Sequence, residues 1–135
     1  MRFVFVDRIV SAEPRRHIET LKNVSATEDV FADHFPGYPV LPGALVVEAF
    51  AQASQLLIGL SHEFAQVGRL RRLSRVAFRR QVRPGDQLAI RCERRAGEGG
   101  QGRPDTARFV VHRNEQREGG SGGLLAQMPP TLRNR

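Results

Sequence analysis

The sequence predicts an α+β domain, one long buried helix wrapped by an antiparallel sheet. Three observations lead there. Residues 42–60 (PGALVVEAFAQASQLLIGL) carry Ala, Leu, Val, Phe and Ile on nearly every side, and a helix apolar all round has to be buried. Segments rich in β-branched and aromatic residues lie on both sides of it. The order strand, strand, helix, then three or four strands sets that single helix against several antiparallel strands. One sheet fully covers only one side of such a helix, so the pattern implies a dimer or strong sheet curvature.

Each element has its own signal. Residues 3–12 (FVFVDRIVSA) are rich in Phe, Val and Ile and read as the first strand. After the Pro14 turn, a second strand is placed at 17–25, where Ile18, Thr20, Lys22 and Val24 alternate with His17, Glu19, Leu21 and Asn23. Residues 26–33 suit one short helical turn. The segment HFPGYPVLPG at 34–43 holds three prolines and two glycines. Proline fixes φ and removes a donor, so this is an ordered loop. Pro42 stands where a first helical turn tolerates proline, and Gly59 and His62 mark the helix end. From 66 to 83, Leu70, Val76, Phe78 and Val82 oppose Arg69, Arg71, Arg75, Arg79 and Arg83, which reads as a strand; Arg72, Ser74 and Arg80 are exceptions on its inner face. Pro84-Gly85-Asp86 is a turn. Two strands at 87–95 and 106–113 flank the Gly-rich loop 97–104, and a last short strand follows EGGSGG at 123–128. Residues 1–128 are read as one domain and 129–135 as a flexible tail.

Composition narrows the function. With 40% hydrophobic and 26% charged residues, a chain of 135 residues is not wholly disordered. The single Cys92 excludes an internal disulfide, and no Cys/His pair has zinc-ligand spacing, so no metal is expected. Glu48, Gln52, Ser54 and Gln55 interrupt the apolar stretches, so no membrane span is expected. The start, MRFVFVDRIV, has an acid at Asp7 and no small-residue cleavage site, which reads as a strand rather than a secretory signal and makes the cytoplasm the expected compartment. The net charge of +7 would attract an acidic partner. Yet 20 of the 21 basic residues are Arg, a skew that genome composition explains as well as a selected surface. Seven arginines crowd into Arg69–Arg83. No aromatic is interleaved on their face, so nucleic acid is not the expected partner.

Three features bear on chemistry. Glu48, Gln52 and Gln55 are spaced by four and three, which puts them on one helical face. A carboxylate desolvated there would tend to hold its proton and serve as a general acid; the plain structural alternative is that this face points to solvent. His34 sits in the proline-stiffened loop, 14 residues before Glu48, where rigid presentation suits a general base and an ordinary loop histidine is the alternative. The helix start at Leu41-Pro42-Gly43-Ala44 has no Ser, Thr, Asp or Asn cap. Its first N–H groups, that of Gly43 included, are free to meet a negative oxygen, or simply water. Acid, base and oxyanion site within fifteen residues suit proton abstraction beside a carbonyl.

The stretch His34-Phe35-Pro36-Gly37, then Pro39-Val40-Leu41-Pro42-Gly43, then Glu48-Ala49-Phe50-Ala51-Gln52 resembles the active-site signature of the hotdog-fold 3-hydroxyacyl-acyl-carrier-protein dehydratases of fatty acid synthesis. Weaker resemblance extends over residues 3–93, through Phe5-Val6-Asp7-Arg8 and Phe78-Arg79-Arg80 with Val82 and Pro84-Gly85-Asp86. The resemblance implies that His34 removes the C2 proton of a (3R)-3-hydroxyacyl thioester and that Glu48 protonates the departing C3 hydroxyl. It implies that the Gly43 N–H polarises the thioester carbonyl, that the Val40 carbonyl orients the His34 ring, and that Gln52 supports Glu48. Glu at position 48, where related dehydratase/isomerases carry Asp, implies dehydration without isomerisation. No cofactor is implied; the substrate rides on the phosphopantetheine of an acyl carrier protein. Docking of that acidic carrier is the functional reading of Arg71, Arg75, Arg79 and Arg80. The family also implies a homodimer or larger assembly in which His and Glu of one site come from different subunits. Asp33 stands where the family usually has Gly, and Tyr38 where a small polar residue is common. Two other readings fit the same fold: a hotdog acyl thioesterase, and a non-catalytic acyl-carrier-binding partner subunit.

Overall fold

The strands β2 (His17–Asn23) and β4 (Gln87–Arg94) are the pair on which the rest is assembled. In their antiparallel register Ile18 faces Cys92, Thr20 faces Ile90, and Lys22 faces Leu88. All six of these side chains are buried, as the period of two along each strand requires. The long helix α2 (Gly43–Ser61) lies against that face. Its Val46, Ala49, Phe50, Ala53 and Leu57 recur at helical spacing and join the strands' apolar residues in one core. In the computed structural model, residues 3–70, 72–74, 76–94, 105–113 and 123–128 are described, with backbone course only for 72, 74, 105–113 and 123–128.

The remaining strands are β1 (Arg8–Glu13), β3 (Arg72–Ser74), β5 (Asp105–Arg113) and β6 (Gly123–Met128). The six-stranded sheet runs β1-β2-β4-β5-β6-β3, and every neighbouring pair is antiparallel. A one-turn helix α1 (Val30–Asp33) precedes the proline-rich loop. This is the α+β arrangement expected. The helix ends one residue beyond the expected span, with the His62 N–H bonded back to the carbonyls of Ile58 and Gly59. The 84–86 turn is also as expected: Gly85 adopts φ +91°, and the Asp86 carboxylate accepts the Arg83 N–H at 2.8 Å. By length and composition alone α2 could cross a bilayer, but its apolar stripe is buried in the core.

Two expectations need correction. The first strand begins at Arg8, not at residue 3. Pairing with β2 stops at Asp7, whose N–H still donates to the Leu21 carbonyl at 2.8 Å while its carboxylate takes the Asn23 N–H at 2.6 Å. Among the described residues of 66–83, only Arg72–Ser74 form a strand. The 76–83 stretch is drawn instead to the loop and helix start, with the Leu41 N–H donating to the Val82 carbonyl at 2.7 Å. Phe78, expected to face inward, is 58% exposed. As expected for one sheet against one helix, α2 is not covered on all sides in the single chain: Ala44, Glu48 and Gln55 are exposed. The Gly-rich loop 97–104, most of the EGGSGG turn and the 129–135 tail lie outside the described residues.

Burial gives the one cysteine an altered acidity. Cys92 is fully buried beneath α2, 3.8 Å from the Ser54 hydroxyl. Burial pushes its thiol up from 9.0 to about 12, and the Ser54 contact offsets only part of that. Above pH 9 the unfolded chain therefore releases the thiol proton while the folded chain keeps it, so this group's contribution to stability is lost as pH rises toward 12. Urea unfolding of the native chain and of Cys92→Ala from pH 8 to 11 tests this: the native chain should lose more stability, and equal slopes would refute it.

Candidate active site

His34 stands at the end of α1, where its N–H donates to the Val30 carbonyl at 3.0 Å. The chain then turns back on itself. Phe35 and Tyr38 exchange backbone hydrogen bonds of 3.2 and 2.9 Å, and Gly37 supplies the positive φ of +73° between them. The Val40 N–H closes the loop on the His34 carbonyl at 3.0 Å. The same residue also fixes the imidazole: His34 Nδ1 lies 2.7 Å from the Val40 oxygen. A carbonyl only accepts, so Nδ1 carries the hydrogen, and in the neutral ring Nε2 keeps a lone pair for an incoming proton. The Phe35 ring stacks on the imidazole with centroids 4.1 Å apart.

A second group of side chains braces this loop from outside. Gln81 and Arg83 flank Val82 and alternate to its other side. The Tyr38 hydroxyl donates to Gln81 Oε1 at 2.9 Å, and Arg83 Nη2 donates to the same oxygen at 3.1 Å. The Arg83 guanidinium carbon also lies 4.1 Å from the Tyr38 ring centroid. With the Leu41–Val82 backbone bond, residues 81–83 thus grip the loop at two points.

The start of α2 is uncapped: Pro42 makes no side-chain cap, and no acidic residue occupies the first turn. A Cβ on Gly43 would sit 2.7 Å from the end of the Phe78 ring, so it is a phenyl ring that uses the space a side chain would fill. One turn further on, Glu48 is exposed and its Oε1 accepts from Gln52 Nε2 at 2.9 Å. Gln52 also reaches the N-terminal segment, accepting the Phe5 N–H at 2.8 Å and donating to the Phe3 carbonyl at 3.0 Å. Gln55, on the same face, is exposed, and its side chain makes no hydrogen bond among the described residues.

The arrangement is one imidazole held by its own loop and one carboxyl group held by its own helix. A family model described as the FabA-like domain matches residues 1–112. The chain belongs to the FabA-like family. A 3-hydroxyacyl-[acyl-carrier-protein] dehydratase FabZ of Pelotomaculum thermopropionicum is 46% identical over 109 residues, covering 80% of this chain and 78% of that protein. A FabZ of Bacillus pumilus is 41% identical over 92 residues, 67% of this chain and 64% of the relative. The structure of smu.793 from Streptococcus mutans bound to acetyl CoA superposes with a TM-score of 0.69 at 17% identity, over 100% of this chain and 95% of that one. That likeness shows the fold, which is the hotdog fold.

Within this FabA-like chain, His34 and Val40 meet, and so do Glu48 and Gln52, but no hydrogen bond or ion pair joins His34 to Glu48 among the described residues. Asp33 is exposed and makes no ion pair with His34. Arg79 and Arg80 are exposed, while Arg71 and Arg75 lie outside the described residues. Sequence reasoning missed the Gln81–Arg83 brace and the tie from Gln52 to Phe3 and Phe5. The first had a signal, two polar residues at i and i+2 around an apolar one. The second had none, because it uses backbone groups. The brace has a measurable cost: Tyr38→Phe removes the hydroxyl bond and keeps the ring under Arg83, and should lower stability to urea by about 0.5–1 kcal/mol. An unchanged midpoint would mean the hydroxyl exchanges Gln81 for water without loss.

Proposed function

We propose that this protein removes water from (3R)-3-hydroxyacyl thioesters carried on an acyl carrier protein, giving trans-2-enoyl thioesters for fatty acid or related lipid synthesis. The observation that carries the reading is the 2.7 Å bond from His34 Nδ1 to the Val40 carbonyl, which leaves Nε2 as the proton acceptor. The family membership and the dehydratase names of the relatives support it. In this reading Nε2 takes the C2 proton, and the C2–H electron pair becomes the C2=C3 bond. The C3–O bond breaks as Glu48 protonates the leaving hydroxyl, so water departs. The products leave His34 protonated and Glu48 ionised, and one proton passed back between them through water resets the site. The hydroxyl is a poor leaving group, so the elimination needs the acid as well as the base. The Gly43 N–H, at the positive end of α2, faces the charge that grows on the thioester oxygen.

The two groups are placed in one site by pairing chains. Glu48 lies on an open face of α2 and, among the described residues, makes no hydrogen bond or ion pair with His34 of its own chain. A homodimer that brings His34 of one subunit to Glu48 of the other supplies both the missing partner and the missing cover. Residues 1–128 act as one hotdog domain in this scheme, with the acidic carrier docking on Arg71, Arg75, Arg79 and Arg80 in the cytoplasm. No cofactor enters the reaction.

His34→Ala and Glu48→Gln should each lower turnover of a 3-hydroxyacyl carrier thioester by at least about 10²-fold. Mixing the two inactive variants should restore part of the activity as subunits exchange. Near-normal turnover in either variant removes that residue from the mechanism. Release of free thiol instead of enoyl product would make the protein a thioesterase.

A further inference from the structure

We infer that the N-terminal segment Phe3–Phe5 is a positioning element for Glu48, acting through the side-chain amide of Gln52. The inference rests on the reading of Glu48 as the general acid. A carboxamide has a donating end and an accepting end, and a half-turn exchanges them. On Gln52 that choice is fixed by groups that cannot change roles. The Phe5 N–H can only donate, and it donates to Oε1 at 2.8 Å. The Phe3 carbonyl can only accept, and it accepts from Nε2 at 3.0 Å. Nε2 is thereby turned to Glu48, whose Oε1 it reaches at 2.9 Å. Glu48 is held by one oxygen, and Oε2 is left for the substrate.

The segment is well placed to impose this. Residues 3–6 precede the strand, and backbone pairing with β2 starts only at the Asp7 N–H, which donates to the Leu21 carbonyl at 2.8 Å, so the backbone groups of Phe3 and Phe5 are available to a side chain. Phe5 itself is firmly seated: it is 3% exposed, its ring stacks on that of Phe3 at 5.9 Å, and the Lys22 ammonium lies 6.0 Å from its centroid. Lys22 is in turn anchored by Glu28 Oε1 at 2.7 Å and the Asn23 carbonyl at 2.5 Å. The order of support therefore runs from β2 through Phe5 and Gln52 to Glu48. Without the segment, the amide can turn its oxygen toward the carboxyl group, two acceptors face each other, and Glu48 loses its fixed orientation.

A double-mutant cycle on the full chain tests this. Phe5→Pro removes the donor, and Gln52→Met removes the amide at similar volume. Each should lower kcat at least about 10-fold with KM changed less than about twofold. The double variant should be no slower than Gln52→Met alone, because both changes break one linkage. Phe5→Leu keeps the N–H and an apolar body and should retain kcat. Losses that multiply in the double variant, or native kcat in Phe5→Pro, overturn the inference. Should Phe5→Pro fail to fold, deletion of residues 1–3 serves, since it removes the exposed Phe3 and leaves Phe5. It should lower kcat in the native background and not in Gln52→Met, and equal loss in both backgrounds overturns the inference. Glu48→Gln keeps the two readings apart. If that variant turns over normally, the acid assignment fails; if it is inactive while the cycle is additive, only the role of the N-terminal segment fails.

Discussion

The seating of α2 on the β2–β4 face sets the geometry of everything else. Phe50, Ile18, Leu88 and Ile90 are fully buried in that contact, and removing such a side chain from water contributes about 1.5–3 kcal/mol. The contact does more than hold the helix down. It fixes the rotation of α2 about its axis, because Val46, Ala49, Phe50, Ala53 and Leu57 must face the sheet. Each residue turns the helix by about 100°, so Glu48 and Gln55 are necessarily on the opposite side. The polar face of the helix is a result of its apolar face.

The loop ahead of α2 is ordered by different means. It contributes little to the core, and Phe35, Pro36, Gly37, Tyr38 and Pro39 are all exposed. Its shape comes from short backbone bonds, from prolines that leave few conformations to lose, and from side chains of residues 81 and 83 reaching across. The imidazole is thus oriented by the loop that carries it, while the carboxyl group is oriented by a helix. The two depend on different parts of the sequence and can be altered separately.

What could be read from the sequence follows from this division. The period of two in β2 and the long apolar helix are local patterns, and both appear close to where they were expected. The motif from His34 to Gln52 was legible because its residues are near one another in the chain. Within the segment 66–83, Arg72–Ser74 is a strand, but 76–83 is not, because alternation identifies a two-faced extended chain and not a hydrogen-bonded one. Its partners are the Leu41 amide and the Gly43 position, about 40 residues away, and nothing local announces them. Residues 3–6 depart from the strand reading for a similar reason: Phe and Val favour strands, but the helix side chain of Gln52 takes the Phe5 N–H and the Phe3 carbonyl, which a neighbouring strand would have used.

The ring of Phe78 over Gly43 links two positions by volume. Its nearest atom would stand 2.7 Å from a Cβ at residue 43, closer than real side chains come. The ring is the far end of an exposed side chain, so it can swing away and the fold would survive the change. What would be lost is the apolar cover at the first turn of α2, leaving its amides more open to water. Alanine at 43 and phenylalanine at 78 are therefore poor companions, and substitutions at these two positions should arise in matched pairs, with a smaller residue at 78 wherever 43 gains a side chain.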